Sequence, residues 1–191
     1  MLIWEINLTL VDLNKGNLGS IADSFVCNEK QGGIMSEDIF MSIFRGNVQE
    51  YFDLIPGVDV DACQGKIPLL HYALSQQDKY SEEIVLDLIH RGADINKTDD
   101  CGRTPLEICC WHHRMNIAKS LLEKGALVNT VDKWGNNPLW RTVYKCDYEM
   151  AQLLMEYGAD PNSKNKVDKS PLDFANMRND EKMVAILTRK A

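Results

Sequence analysis

Apolar residues recur through the middle of the chain in short bursts and never in long runs. Ile117, Leu121 and Leu122 fall at the spacing that places side chains on one face of a helix. Ahead of them Leu106, Ile108, Cys109 and Cys110 form a tighter burst, which predicts a short first helix before the amphipathic second. Thr104 opens the pair as an N-cap, and Pro105 takes the first helical position, where a missing N–H costs nothing. Gly125 closes it in left-handed backbone that other residues reach only with strain. Neither helix can bury its apolar face alone, so such units must stack.

The same segment recurs. Thr104-Pro105-Leu106 to Gly125-Ala126-Leu127-Val128-Asn129 is matched by Asn137-Pro138-Leu139 to Gly158-Ala159-Asp160-Pro161-Asn162. An earlier copy runs from Ile67-Pro68-Leu69 to Gly92-Ala93-Asp94-Ile95-Asn96, and a last one opens at Ser170-Pro171-Leu172 without reaching a Gly-Ala ending. The four prolines are spaced by 37, 33 and 33 residues, which marks a stacked repeat array. The longer first interval predicts four extra residues around Ser75–Glu82, lengthening a loop between two helices. Ile67 breaks the cap pattern, because its side chain accepts no hydrogen bond. A shortened first unit is expected from Ser36: a helix through Phe40 and Phe44, a Gly46-Asn47 turn, a second helix, then Pro56-Gly57. Its six acids across 36–61 against Arg45 alone suit a water-facing terminal cap.

Residues 1–34 do not fit the repeat. Leu2 to Leu13 alternates partially, like a short strand, and Gly16, Gly19, Gly32 and Gly33 punctuate the stretch after it. Gln31-Gly32-Gly33 can be encoded by CAAGGAGGA, which contains a purine-rich bacterial ribosome-binding sequence just before Met35. The expectation drawn from it is a native start at Met35, with repeats over 35–191 and residues 1–34 an over-extended reading frame.

Composition narrows the function. The chain has 191 residues, 45% hydrophobic and 26% charged, as in an ordinary soluble single domain. It contains no run long enough for a membrane helix and no signal-peptide pattern, so a cytoplasmic protein is expected. The net charge of −7 disfavours nucleic acid as the main partner. Six cysteines without a CxxC pair predict free thiols in a reducing compartment. Cys109 and His113 stand four apart and can begin a metal site, but no further zinc spacing accompanies them; the alternative is that Cys109 and Cys110 are core residues. Phosphate loops, serine elbows and metal motifs are missing, which predicts a protein that is not an enzyme and needs no cofactor.

With Thr104-Pro105-Leu106, Gly125-Ala126 and Asn129 in phase with their copies, the segment resembles an ankyrin repeat over about residues 36–191. The resemblance implies an all-α solenoid of about five stacked helix-turn-helix units with β-hairpin-like fingers. The family's His after Thr-Pro-Leu is replaced by Leu70, Glu107, Trp140 and Asp173, and Trp140 is read as structural for that reason. In the family, hairpin tips and the exposed side of the first helices form a concave binding face. Carried onto this chain, that face takes Thr98, Asp100 and Arg103 from one finger and Val131, Lys133, Trp134 and Asn136 from the next. Lys164, Lys166, Val167 and Lys169 come from the last finger; Trp111, His112, Tyr144, Lys145, Asn176 and Met177 project from the helices.

Trp134 is the first candidate for binding energy, since an exposed Trp near the middle of a face is a usual hot spot; the alternative is that it folds back on its own hairpin. Trp111 and Tyr144, one repeat apart, extend an aromatic strip or else pack between first helices. Lys133, Lys145, Lys164, Lys166 and Lys169 make the C-terminal fingers basic: a solvated face, or one that steers an acidic partner. The leading expectation is a monomeric, non-catalytic binder of one protein partner, not of nucleic acid or membrane. Small bacterial proteins of this look resemble immunity proteins that neutralise a cognate toxin domain. An adaptor that engages several proteins is the competing expectation.

Overall fold

In the computed structural model, residues 36–77 and 80–189 are described. The expectations placed on residues 1–34, including the strand at Leu2–Leu13 and the start at Met35, lie outside the described residues. The described chain forms ten helices in five antiparallel pairs. The pairs are α1 (Ser36–Arg45) with α2 (Val48–Leu54), α3 (Leu69–Ser75) with α4 (Glu82–His90), and α5 (Pro105–His112) with α6 (Met115–Glu123). They continue as α7 (Pro138–Lys145) with α8 (Tyr148–Glu156), and α9 (Pro171–Met177) with α10 (Glu181–Leu187). Two-residue strands β1 (Cys63–Gln64) and β2 (Ile67–Pro68) pair antiparallel, with Cys63 opposite Pro68.

The first helices pack side by side in chain order and the second helices form a layer behind them. Through the middle of the stack, α3, α5 and α7 approach one another more closely than α4, α6 and α8, so the first helices line the inner side. The core runs as one strip through all five pairs, from Ile39, Phe40 and Ile43 through Leu70, Leu88, Leu106 and Leu121 to Leu139, Leu154 and Met183. Cys109 and Cys110 belong to this strip as core residues and are fully buried.

Thr104, Asn137 and Ser170 cap α5, α7 and α9 as expected, accepting from the N–H groups of Glu107, Trp140 and Asp173. The earlier unit departs from the pattern by one residue. Ile67 lies in β2, and Pro68 becomes the N-cap of α3 instead of its first helical residue. The caps of α3 and α4, Pro68 and Ser81, are 13 residues apart; the pairs Thr104–Arg114, Asn137–Asp147 and Ser170–Asp180 are each 10 apart. Between helix ends the connecting segment 76–81 has six residues against two at 113–114 and at 146–147, four more as expected, because α3 is also one residue shorter than α5 and α7. The same shift puts His71, not Leu70, at the place of Glu107. His71 is buried, and its Nε2 lies 2.9 Å from the Arg103 carbonyl oxygen.

The fingers are built by one side chain used three times. Oδ1 of Asp99 accepts from the N–H groups of Cys101 and Arg103 at 2.9 Å each, and Asp132 does the same for Trp134 and Asn136. Asn165 repeats the arrangement with Val167 and Lys169 at 3.1 Å. Neighbouring fingers are joined by single backbone bonds, Lys133 N–H to Cys101 and Lys166 N–H to Trp134, both 2.9 Å. This close approach leaves no room at Gly135: φ is +82°, and an added Cβ meets the Lys166 nitrogen at 3.0 Å.

Gly135→Ala is expected to lower the thermal midpoint more than Gly125→Ala. Both sites have positive φ, which costs a side chain roughly 1–2 kcal/mol. A Cβ at Gly125 meets nothing within 4 Å, whereas at Gly135 backbone must move. Parallel melting curves check this; equal losses would show that the finger junction yields freely.

Candidate binding face

Three rings stand in a row along the inner helices. Trp111 of α5 stacks on Tyr144 of α7 with centroids 6.2 Å apart and planes at 16°. Tyr144 stacks in turn on Phe174 of α9, at 6.2 Å and 22°. Trp140, one turn behind Tyr144, tilts against Phe174 at 5.2 Å. Tyr144 keeps 44% of its surface exposed, so the row is a surface feature and not only packing between helices. Cations lie over the ring faces: Lys145 Nζ at 4.2 Å and Arg141 Cζ at 5.5 Å from the Trp111 centroid, and Arg178 Cζ at 5.6 Å from that of Phe174. Arg178 also donates to the Tyr144 carbonyl at 3.0 Å.

Arg141 joins this row to the finger. Its Nε donates to Glu107 at 2.8 Å and its Nη2 to Asp132 at 2.6 Å, both carboxylates being buried. Asp132 holds the Trp134 loop through its other oxygen, so one guanidinium connects two repeats, the ring row and a finger. Burial pushes the Glu107 carboxyl up to about 7, against the opposing pull of Arg141.

The expected site residues divide between offered and internally bound groups. Lys145, Lys166 and Val167 are exposed, Val167 at 69%. Lys133 is exposed too, although its Nζ rests 3.3 Å from the Cys101 sulfur and 4.6 Å from the Trp134 ring centroid. Trp134 is half-buried under that ammonium, which leaves Tyr144 the more exposed aromatic of the face. Arg103 is tied to Asp99 at 2.6 Å. Asn136 is buried; its amide donates to Asp132 and its carbonyl accepts from Asn165 at 2.9 Å, so it serves the fingers and not a partner. His112 is half-buried, and burial together with Arg114, Lys145 and Arg103 pulls its imidazole down to about 4, so it is neutral near pH 7.

Phe174, Arg141 and Arg178 stand outside the expected set. Arg178 is legible in the sequence, since it follows His112 and Lys145 at the 33-residue period. Phe174 lies only 30 residues after Tyr144, so no period points to it. The metal alternative finds Cys109 fully buried, with its thiol pushed up by burial, and His113 Nδ1 placed 2.6 Å from Asp147 Oδ2. Among the described residues the close group of potential ligands is Asp99, Asp100 and Cys101, where Asp99 is already bound to Arg103.

Glu107 gives the fold a pH signature. Its carboxyl titrates near 7 in the fold against an ordinary value of 4.5, so the native state holds the proton more tightly. That contribution to stability is complete below about 4.5 and is lost as pH rises through about 7. Denaturant midpoints between pH 5 and 8, read by circular dichroism, should fall more steeply for the wild type than for Glu107→Gln. Parallel profiles would mean that Glu107 ionises as it does in the unfolded chain.

A family model described as ankyrin repeats, in three copies, matches residues 70–165, just over half of the chain. A comparison with curated proteins found no match. Among the described residues no helix is long and apolar enough to cross a membrane. The matched span covers the helix pairs from α3 to α8 and the fingers that join them. With its landmarks in register across those pairs, the chain belongs to the ankyrin-repeat family, whose arrays are protein–protein interaction modules.

Proposed function

We propose that this chain is a non-catalytic binder that occludes a single protein partner through the inner side of its stack. The row Trp111–Tyr144–Phe174 carries the reading, because large rings held rigidly by their neighbours lose little freedom when a partner covers them. Lys133, Trp134, Lys166 and Val167 at the finger tips form the rim of the same face. The partner class proposed is a toxin domain, with this protein as its immunity protein in a bacterial cytoplasm. That choice rests on the likeness of small, single-domain arrays to such proteins, together with the ribosome-binding pattern that Gln31-Gly32-Gly33 can encode. The adaptor reading differs in requiring several partners of lower affinity.

Capture from the native organism tests it. A single stoichiometric protein should bind the wild type and be lost from Trp111→Ala/Tyr144→Ala, as hot-spot truncations each weaken binding by about 2 kcal/mol. Tyr157→Ala, which removes a ring 40% exposed at the end of α8, should retain it. A partner kept by the double variant would remove this face from consideration. Many weak partners would favour the adaptor.

A further inference from the structure

Resting on that reading of the face, we infer that the partner presents an acidic segment, whose carboxylates lie along the ring row and reach the finger lysines. The first support is the pattern of ion pairing. Among the described residues Arg45, Arg91, Arg103, Arg141 and Lys164 each meet a carboxylate of the chain. Lys133, Lys145, Lys166, Lys169 and Arg178 meet none of the described carboxylates within ion-pair distance; Lys145 lies on α7, Arg178 caps α9 and the other three lie on fingers. Of the other described cations without a carboxylate, Lys119 and Lys182 lie on the second helices, and Lys66, Lys97, Arg114, Lys124 and Arg189 in connecting segments. A chain of net charge −7 has carboxylates in excess, yet it leaves Lys145 and Arg178 unpaired over the ring row and three more unpaired lysines on the fingers.

The second support is the orientation of the rings. Tyr144 sits between Trp111 and Phe174 with planes within 22° of both, and Lys145 and Arg178 lie over the outer rings. Tyr144 is thus flanked by a near-parallel ring on each side, and each outer ring carries a cation near its face. The edge of an aromatic ring is the positive end of its quadrupole, so edges and cations together favour anionic oxygen. Nucleobases bind by stacking on open ring faces, and Tyr144, the most exposed ring of the row, already meets a ring on each side. A carboxylate-bearing peptide therefore fits better than a single-stranded nucleic acid, although both are anionic. His112 adds to the selection: burial and the cations around it hold it neutral, so it leaves the segment to the lysines and Arg178 at neutral pH.

Fluorescence anisotropy with a short labelled peptide of alternating Glu and Phe provides the test, with the same peptide carrying Lys for Glu and a single-stranded oligothymidine as the other probes. The Glu peptide should bind the full chain and weaken sharply as salt rises to about 0.5 M. Lys145→Glu/Arg178→Glu should lower its affinity about tenfold. Lys166→Glu, at an exposed lysine whose side chain makes no hydrogen bond among the described residues, should lower it in the same direction and guards against loss of folding in the double variant. Equal binding of the Lys peptide, indifference to the charge reversals, or tighter binding of the oligothymidine would each overturn the inference. The captured partner separates the two readings. If it is lost from Trp111→Ala/Tyr144→Ala but kept by Lys145→Glu/Arg178→Glu, the face stands and the acidic segment falls. If it is kept by both variants, both readings fall.

Discussion

No helix pair in this chain can bury its apolar surface by itself, and every other feature of the fold answers to that constraint. The helices are short, seven to ten residues, well below the length at which isolated helices persist in water. Their stability comes from the strip of buried side chains that each pair shares with the next. Stacking fixes the distance between equivalent residues on successive inner helices. That distance in turn stacks Trp111 on the equivalent Tyr144, and Phe174, one turn out of register on the next inner helix, extends the row.

The same spacing governs the polar layer. Asp99, Asp132 and Asn165 each close their own finger, while backbone bonds at Lys133 and Lys166 join one finger to the next. Arg141 crosses between layers, with Glu107 on one repeat and Asp132 at the base of a finger. A half-buried guanidinium held between two buried carboxylates tolerates little displacement, because removing it leaves uncompensated charge in low dielectric. The ring row and the Trp134 finger are consequently set relative to one another as a preformed surface. Preorganisation of this kind lowers the ordering cost of association.

Much of this is legible from residue types and spacing. The proline period, the caps at Thr104, Asn137 and Ser170, and the glycine stops read directly as stacked helix pairs, because those signals act within a few residues of chain. The earlier unit is harder. Pro68 follows the same local rule as Pro105, but β2 holds it in extended backbone and the helix starts one residue later. A motif aligned on the proline therefore misplaces His71, whose buried ring meets the backbone of the following repeat. Asn136 departs from expectation for a related reason: its finger position suggests exposure, whereas contacts with Asp132 and Asn165 bury it.

Periodicity and local caps were enough to specify an architecture of stacked helix pairs, since those signals are carried by neighbours along the chain. Which of the inner side chains remain free is a matter of packing. Ring stacking and the Arg141–Glu107 pair depend on residues about thirty positions away, and the local pairs depend on which of several charges lies nearest a given group. Trp134 lies under the Lys133 ammonium and Arg103 is held by Asp99, while Tyr144 stands open. Phe174 joins the row from a position that no repeat period marks, because its ring reaches Tyr144 from the preceding helical turn.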